Sequence, residues 1–496
     1  MLDKLRKVGQ QAFVYGFGNI LNKMLGFLLI PLYISRIPIS DFGILSIFEI
    51  IILFLSTLFS FGIGSAHQRY FYIEKDKGTY GVYLFNGFFG NAILALLAIT
   101  PFLLFSGNVA SLLVGYSSQQ MNLQIVMWII LVEVLFNIPL QTLQYEGKPF
   151  QFLIYNVLKL VLSFAFTLYF VLHLSYSING ILYARLLGGG LTLLLTLAFT
   201  IIPRCTFKID LKLIIKSIRF GLPIIISNIG YTIFMISDRY MLLWFSNESE
   251  VGKYSFGLKI ANFINLIFIH TICISYFPSV VRNDGRENNI RYYRKMLTYY
   301  CVLISFIILA FLFYYRELLG LVVNNKEYWE GLKVVPILCL SFMVMGMNYF
   351  VQIGLFLKNK TKKYIFPSFV VVFINILMNI FLIPLLGMMG AGISVLVSQI
   401  TYTSLIVYLS EKQMKINFEW EKIFLAIALG VVMFFAGLYL PVKNIWIAGV
   451  IKLAMLGLYP YILYKLKFFE PIEIQRTKEG IIKQLVKLKI IRKKSL

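Results

Sequence analysis

Six basic and three acidic side chains stand inside long apolar runs of this chain. An ionisable group there costs about 2.5–3.5 kcal/mol even on the lenient insertion scale, so it usually faces a cavity or a partner. The basic set is Lys23, Lys159, Arg185, Arg239, Lys259 and Lys452; the acidic set is Glu49, Glu133 and Asp238. At 1.5 Å per helical residue, Lys23, Glu133 and Lys159 fall near the middle of their runs, and Glu49, Arg185, Asp238, Arg239 and Lys259 nearer the outer boundary. Glu133 and Lys159, on consecutive antiparallel runs, can neutralise one another, and so can Asp238 and Lys259; Lys452, close to a run end, is expected to snorkel to the headgroups. Lys23, Arg185 and Arg239 then remain against Glu49 alone. That excess suits a polyvalent anion, above all phosphate or pyrophosphate, for which Arg offers a bidentate fork and Lys a point charge. A site for cationic solutes would carry the opposite balance.

The elements that must position these groups are membrane helices. Of 496 residues, 59% are hydrophobic and 14% charged, and the mean hydropathy is +0.80. That leaves too little polar surface for soluble domains. The sequence offers fourteen apolar runs of the length of about 20 residues that a helical span needs. β-Barrel strands, which read as short alternating segments, do not fit. The first run, about 12–35, is too long for a signal-peptide core and is expected to stay as an anchor. Cys205, Cys273, Cys301 and Cys339 are scattered and suggest no disulfide framework or metal pair.

A net charge of +24 invites nucleic acid as a partner, but the placement of the charge argues against it. Most of the 46 Lys and Arg residues lie at the termini and in the loops after even-numbered runs. By the positive-inside rule both termini are expected to be cytoplasmic, and the charge reads as topology plus attraction to anionic headgroups.

The chain also repeats itself. Shifted by 209 positions without a gap, Lys7 meets Lys216, Asn19 meets Asn228, Ile20 meets Ile229, Ser40 meets Ser249, Gly43 meets Gly252 and Ser46 meets Ser255. Polar residues carry most of these matches, so shared apolar composition does not account for them. The expected organisation is an N-terminal lobe of six spans (1–203), a basic cytoplasmic linker (204–219), a C-terminal lobe of six spans (220–411), two further spans (412–467) and a basic tail (468–496) with amphipathic spacing. An even number of spans per half keeps both halves in one orientation, which predicts a pseudo-two-fold axis along the membrane normal and a cavity between the lobes. Asn19 and Asn228, equivalent in the two halves, are candidates for polar groups at that interface, although interhelical hydrogen bonding alone would explain them.

Enzyme chemistry is poorly served. There is no Walker A motif, HExxH, GxSxG or DxD pair, and His67, His173 and His270 are too dispersed for a metal cluster.

Phe220-Gly221-Leu222-Pro223, Ser227-Asn228, Asp238-Arg239, Val251 to Ser255, Asn375, Asn379, Pro384 to Gly387 and Gly390-Ala391-Gly392 together resemble a known pattern. So does the opening, with Asn19, Pro31 and Phe42-Gly43. The resemblance is to the Wzx-like lipid-linked oligosaccharide flippases of the multidrug, oligosaccharidyl-lipid and polysaccharide exporter superfamily, and it covers essentially the whole chain. It implies an all-α, MATE-like, V-shaped bundle of about fourteen spans in a prokaryotic plasma membrane. Such a bundle would move an undecaprenyl-pyrophosphate-linked oligosaccharide between leaflets by alternating access, alongside glycan polymerase or assembly proteins. On that basis Lys23, Arg185 and Arg239, with Lys159 and Lys259 behind them, are expected to hold the pyrophosphate. No cofactor is expected. Coupling to a proton, sodium ion or membrane potential would fall to Glu49, Glu133 or Asp238. The alternatives are a multidrug or small-solute exporter of the same superfamily, a membrane polymerase or ligase, for which the longest outer loop, about 316–331, is modest, and a scaffold for glycan assembly.

Overall fold

In the computed structural model of the chain, the described residues are 29–273, 276, 280, 289–320, 323, 325–358, 360–439, 445–471 and 475. In a bilayer every backbone N–H and C=O must be satisfied within the segment, so the apolar runs form helices. They are α1 (Ile30–Arg36), α2 (Ile39–Phe59), α3 (Ile63–Asp76), α4 (Tyr80–Leu104), α5 (Ser106–Val114), α6 (Gln120–Tyr145), α7 (Pro149–Leu168), α8 (Ile178–Thr196), α9 (Leu211–Phe245), α10 (Glu248–Ile264), α11 (Ile290–Gly320), α12 (Lys326–Gly331), α13 (Val335–Val351), α14 (Ile365–Leu386), α15 (Met388–Glu411), α16 (Trp420–Leu438) and α17 (Ile445–Lys465). Twelve helical stretches among the described residues are long and apolar enough to cross a membrane. Of the fourteen runs in the sequence, the first lies largely outside the described residues; the seventh lies within α9, which is not among the twelve.

Local chemistry sets the ends. Pro38 precedes α2 and Pro149 opens α7, where a missing N–H costs nothing. The Asp210 carboxylate accepts from the Lys212 N–H at 2.9 Å, which starts α9 at Leu211, well before the apolar run itself. Asn247 caps α10 by accepting from the Glu250 N–H at 3.0 Å.

The chain packs as two compact units. The first holds the described residues within Met1–Leu266, Val322–Val344 and Lys362–Leu405. One of its cores is formed by Ile63, Leu84, Phe88, Leu135, Phe136, Leu193 and Ile201. At one edge of this unit Arg204 grips Glu146 with two parallel hydrogen bonds of 2.7 and 2.9 Å, and Lys148 approaches the same carboxylate at 2.7 Å. Burial works against the charged form of Glu146, but the hydrogen bonds from Arg204 and Lys148 outweigh it and hold the carboxyl below the usual range.

The contact that sets the geometry of this unit is between α2 and α10, whose backbones touch. A methyl group on Gly43 would lie 1.9 Å from the Glu248 carbonyl oxygen, and one on Gly252 would lie 2.1 Å from that of Ile39. Glu248 is the 209-shifted counterpart of Ile39, so the contact is reciprocal: each glycine receives the same carbonyl of the opposite half. Between them the Ser46 and Ser255 hydroxyls share a 2.6 Å hydrogen bond across the same 209 positions. Tyr328 of α12 seals the crossing. Its hydroxyl donates to the Ile37 carbonyl at 3.0 Å, and its ring packs edge-on to Phe42 and Phe256. A second close approach joins Gly62, whose φ of +68° favours glycine, to Gly221, whose added methyl would come within 2.3 Å of Gly62.

In the second unit, the described residues within Ile267–Leu321, Met345–Thr361 and Ile406–Leu496, α11 packs on α16 and α17 around Leu309, Phe313, Ala426, Met433, Leu456, Tyr459 and Leu463. Lys452, expected to snorkel, meets protein groups near the end of α11. Its ammonium donates to the Phe313 carbonyl at 2.8 Å and pairs with Glu317, because α11 offers a carbonyl and a carboxylate at the depth where the lysine emerges.

Gly43→Ala and Gly252→Ala each place a methyl group on a backbone carbonyl that has no side-chain freedom to retreat. Each is expected to lower the melting temperature in detergent by several degrees, and Gly190→Ala, where the added methyl meets nothing within 4 Å, to leave it unchanged. Differential scanning fluorimetry of the three variants checks this.

Candidate anion-binding site

Four of the five expected phosphate ligands lie on described helices of the first unit: Lys159 on α7, Arg185 on α8, Arg239 on α9 and Lys259 on α10. The fifth, Lys23, and the polar candidate Asn19 lie outside the described residues, as does the side chain of Asn228.

Glu133, on α6, joins two of them. Its Oε2 accepts from Lys159 at 2.8 Å and its Oε1 faces Arg185 at 3.4 Å. The pairing expected between Glu133 and Lys159 is therefore present, and Arg185 shares it. The Lys159 ammonium also sits 4.7 Å from the centre of the Phe136 ring, a cation–π contact that offsets part of its desolvation.

The other expected pairing is not formed. Lys259 bonds Glu49 of α2 at 2.8 Å, not Asp238, and lies over the rings of Phe42 and Tyr33 at 5.0 and 5.8 Å. The cause is helical phase. Tyr254 and Lys259 are five residues apart on α10, about 140° around the axis at about 100° per residue, so one faces α9 and the other α2. Asp238 is fully engaged on the Tyr254 side, where it accepts from the Tyr254 hydroxyl and, at 2.9 Å, from the Arg239 backbone N–H. It is 4% exposed and is removed from the cation set.

Arg239 is the cation without a carboxylate within ion-pair distance among the described residues. Its Nη1 donates to the Ser46 hydroxyl at a long 3.4 Å, and its buried Nε has no hydrogen-bond partner. Lys259, Arg185 and Arg239 act on Glu49 electrostatically and Arg239 acts on Asp238, so the three carboxylates and four cations form one connected field. Counting Glu49, Glu133 and Asp238 against Lys159, Arg185, Arg239 and Lys259 leaves one positive charge over among the described residues. Cationic donors on several helices are the chemistry that charge-assisted hydrogen bonding to a polyvalent anion requires.

A second polar group stood in the sequence without an assigned role. Ser237 donates to the Asn375 side-chain oxygen at 2.6 Å and Asn379 does so at 3.2 Å, all three buried, while Asn375 Nδ2 and Asn379 Oδ1 have no partner among the described residues. The spacing of Asn375 and Asn379, one helical turn apart within an apolar run, is the signal that marks them.

With this geometry in view, the comparisons fall into place. Residues 8–284 match the model of the family described as polysaccharide biosynthesis protein. No curated protein matches the chain. Among solved structures, a lipid II flippase MurJ in an inward closed conformation superposes with a TM-score of 0.76 at 13% identity, covering 92% of this chain and 100% of that one. An inward-facing multidrug resistance MATE family transporter of the MOP superfamily gives 0.64 at 15% identity, covering 79% and 94%. Another MATE structure, in the bent conformation, gives 0.56 at 14%, covering 82% and 95%. The expected fold is present, a nearly all-helical bundle of the MurJ and MATE type, with the count of fourteen spans approximate.

Glu133→Ala leaves Lys159 and Arg185 without their shared counter-ion, a loss on the order of 1–3 kcal/mol for a partly exposed site. Removing Lys159 in the same protein, as Glu133→Ala with Lys159→Met, is expected to recover part of that loss. Melting temperatures of the single and double variants test the coupling, and strictly additive losses would refute it.

Proposed function

Because the chain belongs to the polysaccharide biosynthesis protein family and has the MurJ and MATE fold, we propose that it is a transporter of the MOP superfamily rather than an enzyme, and that it flips a polyprenyl-pyrophosphate-linked oligosaccharide from the inner to the outer leaflet by alternating access. The observation that carries this reading is the surplus of cations over carboxylates, with no carboxylate within ion-pair distance of Arg239 among the described residues and Arg185 sharing one. Cationic side chains hold the pyrophosphate, the glycan occupies a hydrated cleft, and the polyprenyl tail stays in lipid. Lys23 joins Arg185 and Arg239 as the third principal ligand on this reading, and Lys159 and Lys259 support them.

The membrane is proposed to be a prokaryotic plasma membrane, with both termini cytoplasmic as the distribution of Lys and Arg favours. Glycan polymerase or assembly proteins are the proposed neighbours. Energy would enter through a proton, a sodium ion or the membrane potential, with Glu49, Glu133 and Asp238 as the ionisable groups placed to respond. The rival in the same fold, an exporter of drugs or small solutes, draws support from the MATE likeness and from those three carboxylates.

Lys23→Ala, Arg185→Ala and Arg239→Ala combined are expected to cut translocation of a lipid-linked oligosaccharide in proteoliposomes by at least about tenfold, the loss of about 1.4 kcal/mol or more of binding. The melting temperature should stay within a few degrees of the parent. Full translocation by the triple variant would sink the assignment, and efflux of cationic drugs without any lipid-linked sugar transport would favour the rival.

A further inference from the structure

The two carboxylates of the site are placed as a substrate's phosphates would be. Glu133 presents its two oxygens to cations from two helices, Oε2 to Lys159 of α7 and Oε1 to Arg185 of α8. Glu49 stands against Lys259 of α10 at 2.8 Å, within the field of Arg185 and Arg239 from two further helices. Ordinary neutralisation would give each cation its own carboxylate, yet here Glu133 and Glu49 serve three ion-paired cations, and Arg239 has no carboxylate within ion-pair distance among the described residues. Both carboxylates are also partly open, with side-chain exposures of 32% for Glu49 and 21% for Glu133, and that of Arg185 is 35%.

We propose that Glu133 and Glu49 are tethered anions that occupy the phosphate-binding cations while no substrate is present, and that a substrate's diphosphate binds by displacing them. This rests on the phosphate-binding reading of the site. The physical logic is twofold. Four cations held in a low-dielectric region without counter-charges would destabilise the empty transporter. The same four cations without competitors would bind a diphosphate so tightly that release would limit turnover. A carboxylate fixed beside each pair of cations stabilises the empty site and weakens product binding. Asp238 takes no part, since its oxygens are held by the Tyr254 hydroxyl and the Arg239 N–H.

The consequence is a sign that a structural role would not produce. Glu133→Gln and Glu49→Gln remove a competitor, so each is expected to bind inorganic pyrophosphate about tenfold tighter than the parent, as expected for loss of one like charge a few ångströms from the anion. Isothermal titration of the full-length protein in detergent, with pyrophosphate as the probe, reads this directly. If either carboxylate only positions the cations, its glutamine variant binds pyrophosphate equally or more weakly, and the proposal fails while the phosphate reading stands. If the parent binds no pyrophosphate, the phosphate reading fails and the proposal with it. Should a glutamine variant not fold, Glu133→Asp, which keeps the charge and shortens its reach, is expected to show a smaller gain of the same sign; a loss of affinity there overturns the proposal equally.

Discussion

The crossing of α2 and α10 is the constraint on which the rest of the first unit depends. In lipid there is no hydrophobic drive to bring helices together, so packing and interhelical hydrogen bonds must do so, and small residues permit the closest approach. Gly43 and Gly252 each admit the other half's carbonyl oxygen, and Ser46 and Ser255 close the space between them at 2.6 Å. That register fixes the chemistry beyond it. Glu49 and Lys259 lie about two turns farther along their helices, and only with the backbones in contact do they meet at 2.8 Å.

Charge sets the second constraint. The cost of holding Lys159 and Lys259 at membrane depth is offset by an ion pair and a ring face for each. Arg185 shares a carboxylate already engaged at 2.8 Å, and Arg239 has a hydroxyl at 3.4 Å and an unpartnered Nε. Compensation therefore declines from the lysines to the arginines, and the two arginines are left with the most unspent hydrogen-bonding capacity. Planar guanidinium groups are also the better partners for a bidentate phosphate contact, so the side chains with capacity to spare are those with the fitting geometry.

The fold was largely legible because hydropathy and charge distribution are one-dimensional signals that a bilayer reads directly. The 209-residue register went further, since the matched polar residues proved to be contact residues: an isologous crossing brings one position of each half to the same axis, so Ser46 finds Ser255 and Gly43 finds the turn that begins with Glu248. Side-chain partners were less accessible. Depth alone paired Glu133 with Lys159 correctly, because neighbouring antiparallel helices leave little choice. Depth also suggested Asp238 for Lys259, and there it failed, because which way a residue faces depends on helical phase relative to a neighbour that the sequence does not identify.

The scaffold repeats, but the site does not. In the 209-residue register Glu133 falls on Phe342, Lys159 on Ser368 and Arg185 on Ser394, so these charges of the first half do not recur in the second. The first half supplies Lys159, Arg185 and both working carboxylates; the second supplies Arg239 and Lys259, which reach the others across the crossing. The number of cations facing one anion is therefore a function of how closely α2 and α10 approach. On the proposed function, a conformational change that altered this crossing would change the number of cations facing one anion, and an anion engaging both sides would by the same linkage favour the conformation that keeps them together.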